Sequence, residues 1–108
     1  AMGLRYDLVI ADPPSFAPRE AALPRALVAY RDLFAQCARV VSPGGLLCAG
    51  SCSSHVSLEA LLGAIGAAAA LSGRRCRVLE ARGQPADHPS LPAFPEGRYL
   101  KLVLCRLD

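Results

Sequence analysis

The stretch Tyr6-Asp7-Leu8-Val9-Ile10-Ala11-Asp12-Pro13-Pro14-Ser15-Phe16 constrains the fold of this 108-residue chain more than any other. Leu8 to Ala11 form an unbroken apolar run, the pattern of a parallel strand covered on both faces. Pro13 and Pro14 then end the pairing, because proline has no backbone donor and pushes the preceding residue toward extended geometry. Asp12 is thereby fixed at the carboxyl tip of a strand, where open α/β sheets bind their ligands. A carboxylate there, followed by a stiff Pro-Pro-Ser-Phe arm, suits the gripping of a flat polar ring. The same residues also fit a strand that simply ends in a proline turn.

The rest of the chain alternates in a way that extends this strand into a sheet. Pro24 suits the first turn of a helix. Leu27, Tyr30, Leu33, Phe34, Cys37, Val40 and Val41 then recur at three- and four-residue spacing. Ser42-Pro43-Gly44-Gly45 breaks that helix, and Leu46 to Gly50 reads as a second buried strand. Ser57 is a candidate N-cap for a second helix with Leu58, Leu61, Leu62, Ile65 and Ala69 on its apolar face, closed by Gly73. Cys76 to Ala81 reads as a third strand, with Arg75 and Arg77 suited to an exposed edge. A proline-studded loop from Gly83 to Gly97 leads to a fourth strand, Tyr99 to Arg106. Strand-helix-strand-helix-strand predicts a parallel, doubly wound sheet. The last link carries no helical pattern, so the fourth strand is expected to pair antiparallel.

Composition narrows the class. Apolar residues make up 53% of the chain, enough for one small domain with a modest core. The net charge of +3 permits a nucleic-acid partner without requiring one. No apolar run reaches the length of a membrane span. Five cysteines, an odd number with no Cys-x-x-Cys pair, fit a reducing cytoplasm better than a disulfide framework. Ala1-Met2-Gly3 reads as a cloning scar, and a core strand starts almost at once, so residues 4–108 are expected to be the C-terminal part of a longer protein.

Consecutive parallel strands joined by a right-handed crossover are usually neighbours. Asp12 and Cys52 are then expected at adjoining tips of one sheet. Cys52 stands apart from the other cysteines, which fall on apolar helix or strand positions and read as small core residues. It is flanked by serines just before a helix, where backbone donors favour a thiolate. His55 could serve Cys52 as a base in a thiol hydrolase, although bordering the second helix accounts for it as well. Asp87 and His88 lie in the long loop, and ordered loops of that length are often functional. Cys52, His55 and His88 do not form a familiar zinc spacing.

These residues together resemble a known family. Tyr6 to Phe16 is similar to motif IV of the class I S-adenosylmethionine-dependent methyltransferases, and Pro43-Gly44-Gly45 resembles their turn before strand five. Ser51-Cys52-Ser53, Gln84-Pro85-Ala86-Asp87-His88-Pro89 and Phe94 to Lys101 resemble the large-subunit rRNA cytosine-C5 methyltransferases. The resemblance implies strands 4-5-7-6 of a Rossmann-like sheet, the last antiparallel, with two crossover helices. It implies Cys52 as nucleophile toward C6 of cytosine and Asp12 as the acid holding the base edge. Asp12 and Pro13 are then expected at the S-adenosylmethionine, and Pro14, Phe16, Ser53, Asp87 and His88 at the rRNA base. The family's glycine-rich cofactor loop, ribose-binding acid and N-terminal RNA-binding domain have no counterpart here, so the chain alone is expected to bind cofactor weakly and to be inactive.

Two further expectations follow. Leu8 to Ala11, a central strand in that family, is here expected at a bare edge and to recruit a second copy of the chain as a homodimer. The Asp-Pro-Pro motif also serves methyltransferases acting on base nitrogens without a cysteine, and a non-catalytic role in assembly or RNA contact is a third reading.

Overall fold

The computed structural model describes residues 3–16, 19–53, 55–83 and 100–108. Strand β1 (Tyr6–Ala11) is followed by a 3-10 turn (Glu20–Ala22), helix α1 (Leu23–Arg39), strand β2 (Val41–Ser51), helix α2 (Leu58–Ser72), strand β3 (Cys76–Arg82) and strand β4 (Lys101–Leu107). The sheet order is β1-β2-β4-β3, with β1 and β2 parallel and β4 antiparallel to both of its neighbours. The antiparallel last strand and its insertion between β2 and β3 match the expected architecture. Tyr99, expected in the fourth strand, lies outside the described residues, as does most of the Gly83–Gly97 loop.

The helices form where the sequence supplies their ends. In α2, Ser57 Oγ accepts the Ala60 amide at 3.0 Å, and Gly73 closes the helix at φ 69°. Helix α1 has no side-chain cap, but Pro24 lies in its first turn, where a missing donor costs nothing. It gives way to β2 after one residue, and the Tyr6 amide holds the Val40 carbonyl at 2.7 Å.

The Ser-Pro-Gly-Gly breaker is not a loop between elements. It lies inside β2 as a bulge: Tyr6 pairs with Val41, then Leu8 with Leu46. Two glycines allow this for different reasons. Gly44 takes φ 79°, a conformation side chains rarely adopt. At Gly45 a Cβ would lie 2.9 Å from the Ser42 carbonyl and 3.1 Å from that of Asp7, so only glycine lets the strands close.

The core lies on one side of the sheet. Alternate residues Ala11, Leu47, Ala49, Val103, Cys105 and Leu107 are buried against Tyr30, Phe34, Ala35 and Ala38 of α1 and Leu61, Ile65 and Ala68 of α2. Each large side chain in that set stabilises the fold by about 1.5–3 kcal/mol. Both helices pack on this face and against each other. The doubly wound expectation therefore needs correction. Among the described residues no helix covers the other face, and Leu8 and Ile10 are 52% and 67% exposed. The run Leu8–Ala11 that predicted burial on both faces is buried only at its last residue, because Leu8 and Ile10 lie on the face that no described helix covers. At the opposite edge, Arg75 and Arg77 are exposed as expected.

Candidate active site

Strand alternation decides what reaches the carboxyl rim. Ala11 of β1 pairs with Ala49 of β2, both buried under the helices. Asp12 and Cys52 follow at the two tips with the opposite parity, and both are exposed. The sheet thus brings together the two residues that the sequence analysis paired, on adjoining strands. Between them lies Gly50, where a Cβ would sit 3.1 Å from Leu102 Cδ2 and 3.6 Å from Asp12 Oδ1. The missing side chain leaves the Asp12 carboxylate room to lie along the rim.

Below Asp12 is a hollow of about 360 Å³ lined by Ile10, Ala11, Asp12, Pro13, Pro14, Phe16, Leu33 and Cys37. Its walls are apolar and its rim carries one carboxylate. Burial pushes the Cys37 thiol up, so that residue remains a neutral wall. Pro14 is exposed, whereas Pro13 is buried. The Phe16 ring is half-buried against Tyr30, with centroids 4.8 Å apart and planes at 55°. Tyr30 in turn stacks on Phe34 at 5.8 Å, so the arm after Asp12 is anchored in the core.

The loop that carries Cys52 is built from serines. Tyr30 Oη and Ser51 Oγ are 3.0 Å apart in a buried hydrogen bond. Ser51 Oγ also accepts the Ser53 amide, and Ser53 Oγ accepts that of His55, both at 3.3 Å. Ser53 was expected to touch substrate. It is instead 2% exposed, because its hydroxyl and carbonyl are committed to the turn between β2 and α2. His55 is half-buried at the border of α2. Asp87 and His88 lie outside the described residues. Among the described residues no three His, Cys, Asp or Glu side chains converge as a metal site would require.

Sequence reasoning missed Lys101. Its Cα is paired with Ser51 across β2 and β4, it is 8% exposed, and its Nζ donates to the Ser53 carbonyl at 2.9 Å. Burial lowers its pKa from the ordinary value, and attraction to Cys52 opposes that shift. A signal was available. Lys101, Val103, Cys105 and Leu107 share one strand face, and a lysine at a core-facing parity in such a strand is unusual.

A parallel pair extended by an inserted antiparallel strand is part of a Rossmann-like sheet. Solved structures of that class share it. One, assigned as a methyltransferase and solved with SAH, superposes with a TM-score of 0.68 at 23% identity, over 95% of this chain and 26% of its own. A second, a Streptococcus mutans protein assigned as SAM-dependent, gives 0.69 at 22% over the same shares.

Curated relatives are more particular. The chain is 36% identical over 107 residues to ribosomal RNA large subunit methyltransferase I of Yersinia pseudotuberculosis. It is 45% identical over 107 residues to a ribosomal RNA large subunit methyltransferase of Deinococcus radiodurans. The matches cover 99% and 98% of the chain but only 27% and 26% of those proteins. The chain is therefore homologous to the C-terminal part of large-subunit rRNA methyltransferases and spans about a quarter of their length. No family model matches it.

Proposed function

We propose that this chain is the base-activating part of an S-adenosylmethionine-dependent methyltransferase acting on cytosine C5 in large-subunit rRNA. The observation that carries this reading is the placement of Asp12 and Cys52 at adjoining strand tips with the same parity, both open to solvent. Homology to enzymes named as large-subunit rRNA methyltransferases supports the reaction class and a ribosomal, hence cytoplasmic, setting.

The chemistry needs both groups. Cytosine C5 is a poor nucleophile until a thiolate adds to C6 and gives C5 enamine character. Cys52 supplies that sulfur. Asp12 accepts from the exocyclic amine, and from N3–H once N3 takes up a proton in the adduct, which orients the base and stabilises the adduct. C5 would then take the methyl as a bound sulfonium cofactor leaves as the neutral thioether, lose its proton to a base, and expel the Cys52 sulfur to restore the ring. The target must leave its stack to reach the rim, and Pro14 and Phe16 border the slot it enters. Bound cofactor supplies an electrophilic methyl on a sulfonium. Asp12 and Pro13 fit one side of it, since the hollow beneath them offers apolar walls and a single carboxylate. They offer no ribose or carboxylate clamp, so weak cofactor binding and no turnover are the expected behaviour of this chain alone. Calorimetry showing micromolar S-adenosylmethionine binding would contradict that.

The decisive experiment is Cys52→Ala in the full-length protein, assayed for methyl transfer to large-subunit rRNA. Loss of activity by several orders of magnitude is expected. Retained activity moves the target to a base nitrogen gripped by the Asp-Pro-Pro arm alone, and cofactor-independent RNA binding without any transfer moves the role to assembly. The open edge at Tyr6, Leu8 and Ile10 also supports a homodimer of the isolated chain through β1. A monomeric mass in light scattering at high concentration would remove that part.

A further inference from the structure

The least expected charge in the molecule is the buried Lys101 under the cysteine loop. A lysine is almost never buried unless something retains it, and a strand face shared with Val103, Cys105 and Leu107 has no packing use for an ammonium. Its neighbours define the use. The aliphatic stem runs past Gly83 and Leu58, where a Cβ on Gly83 would meet Lys101 Cγ at 3.8 Å and Leu58 Cδ2 at 3.9 Å. The Nζ then reaches the Ser53 carbonyl at 2.9 Å, one peptide beyond Cys52. The same carbonyl accepts the Val56 amide at 3.3 Å, so the lysine joins the turn into α2 to the end of β2. On the other side of the loop, Tyr30 holds Ser51.

We propose that Lys101 is the positioning residue of the cysteine loop, fixing the Ser53 carbonyl so that Cys52 is presented at the rim and setting a positive charge beside the sulfur where the thiolate acts. This rests on the reading of Cys52 as nucleophile. Attraction between the ammonium and Cys52 opposes the lowering that burial imposes on Lys101, consistent with the two groups sensing each other. The other titratable groups near that rim are Tyr30, engaged with Ser51, the exposed Asp12, and the half-buried His55, whose backbone amide donates to Ser53 Oγ. Glu59 and the Glu80–Arg82 pair are exposed on α2 and β3. Apart from His55 in the loop itself, none of these places a second cation-forming group there among the described residues.

The test is the rate of iodoacetamide alkylation of Cys52 in this chain, read by peptide mass across pH 6–10, with Cys37 and Cys48 as internal references. Lys101→Met is expected to slow Cys52 about tenfold at neutral pH, with the gap closing as the solution becomes alkaline and the native lysine loses its charge. Lys101→Arg, which keeps charge and donor, is expected to stay within about threefold of the native rate. Should Lys101→Met fail to fold, Lys101→Gln retains a donor for the carbonyl without charge, and slowing at neutral pH is again expected. A native-like profile in either neutral variant overturns the proposal. That outcome leaves Cys52 as nucleophile untouched, because the methyl-transfer assay of Cys52→Ala judges that reading separately.

Discussion

At the amino rim of the sheet a half-buried arginine gathers backbone carbonyls, and at the carboxyl rim a buried lysine holds the Ser53 carbonyl, with different results. Arg74 Nη1 donates to Ala38 O at 2.5 Å and Val41 O at 2.8 Å, Nη2 to Ser42 O at 3.4 Å, and Nε to Asp108 O at 3.1 Å. These oxygens belong to the end of α1, the start of β2 and Asp108, the residue after β4. The Ala38 carbonyl is one that a helix terminus leaves without an intrahelical partner. The guanidinium fork is used up in closing the fold. Lys101 is a point charge that holds the Ser53 carbonyl, and the same rim carries a carboxylate and a thiol left open to solvent. One rim spends its polar groups on satisfaction, while the other holds a scaffold of serines under two groups kept exposed. Local order and chemical availability are thus divided between opposite ends of the same strands.

That division can be broken by mutation. The largest stability effect is expected from Arg74→Ala, which leaves several carbonyls without their charged donor and should cost about 3 kcal/mol in urea unfolding. Cys52 alkylation by the folded variant should stay at the native rate. Parallel loss of both would mean that the two rims are not separable.

An intermediate effect concerns the middle of the sheet. Burial, together with the neighbouring Cys76, pushes the Cys105 thiol from its ordinary value of 9.0 up to about 12. The unfolded chain releases this proton near pH 9 while the folded chain keeps it, so the group's stabilising contribution is complete below that pH and is lost as pH rises toward 12. Native stability should therefore fall relative to Cys105→Val by about 1 kcal/mol per pH unit above 9, measured by chemical unfolding at each pH. Parallel curves for the two proteins would show that the thiol is not shielded between the rims as its burial indicates.

The smallest effect sharpens the carboxyl rim. Tyr30→Phe removes the hydroxyl bonded to Ser51 and should cost about 1 kcal/mol. The stacking on Phe16 and Phe34 remains, so thermal unfolding should show a shift of only a few degrees. A loss several times larger would mean that the serine loop, and not the aromatic stack, anchors this rim.

Much of the fold was legible in the residues. Three- and four-residue spacing from Leu27 onward located α1, Ser57 and Gly73 bounded α2, and the absence of a helical pattern after β3 required β4 to turn back. The pairing of Asp12 with Cys52 was legible too, because a parallel crossover puts consecutive strands side by side. What stayed hidden depends on distance along the chain. Ser42-Pro43-Gly44-Gly45 looks like a loop, and only the neighbouring β1 carbonyl at Asp7 turns it into a bulge within a strand. Arg74 reads as a solvated charge after Gly73, yet its acceptors on α1 and β2 lie more than thirty residues away.

The sequence by itself determined the order of the elements, the ends of the second helix, and the arrival of an acid and a thiol at strand tips, since periodicity, capping and proline stops act over a few residues. Only the tertiary structure decided that both helices share one face, that Ser53, expected at the substrate, is buried in the turn after β2, and that Lys101 reaches the carbonyl next to Cys52. Those outcomes depend on which strand is inserted between which neighbours, and short-range patterns carry no record of partners joined from forty or more residues away.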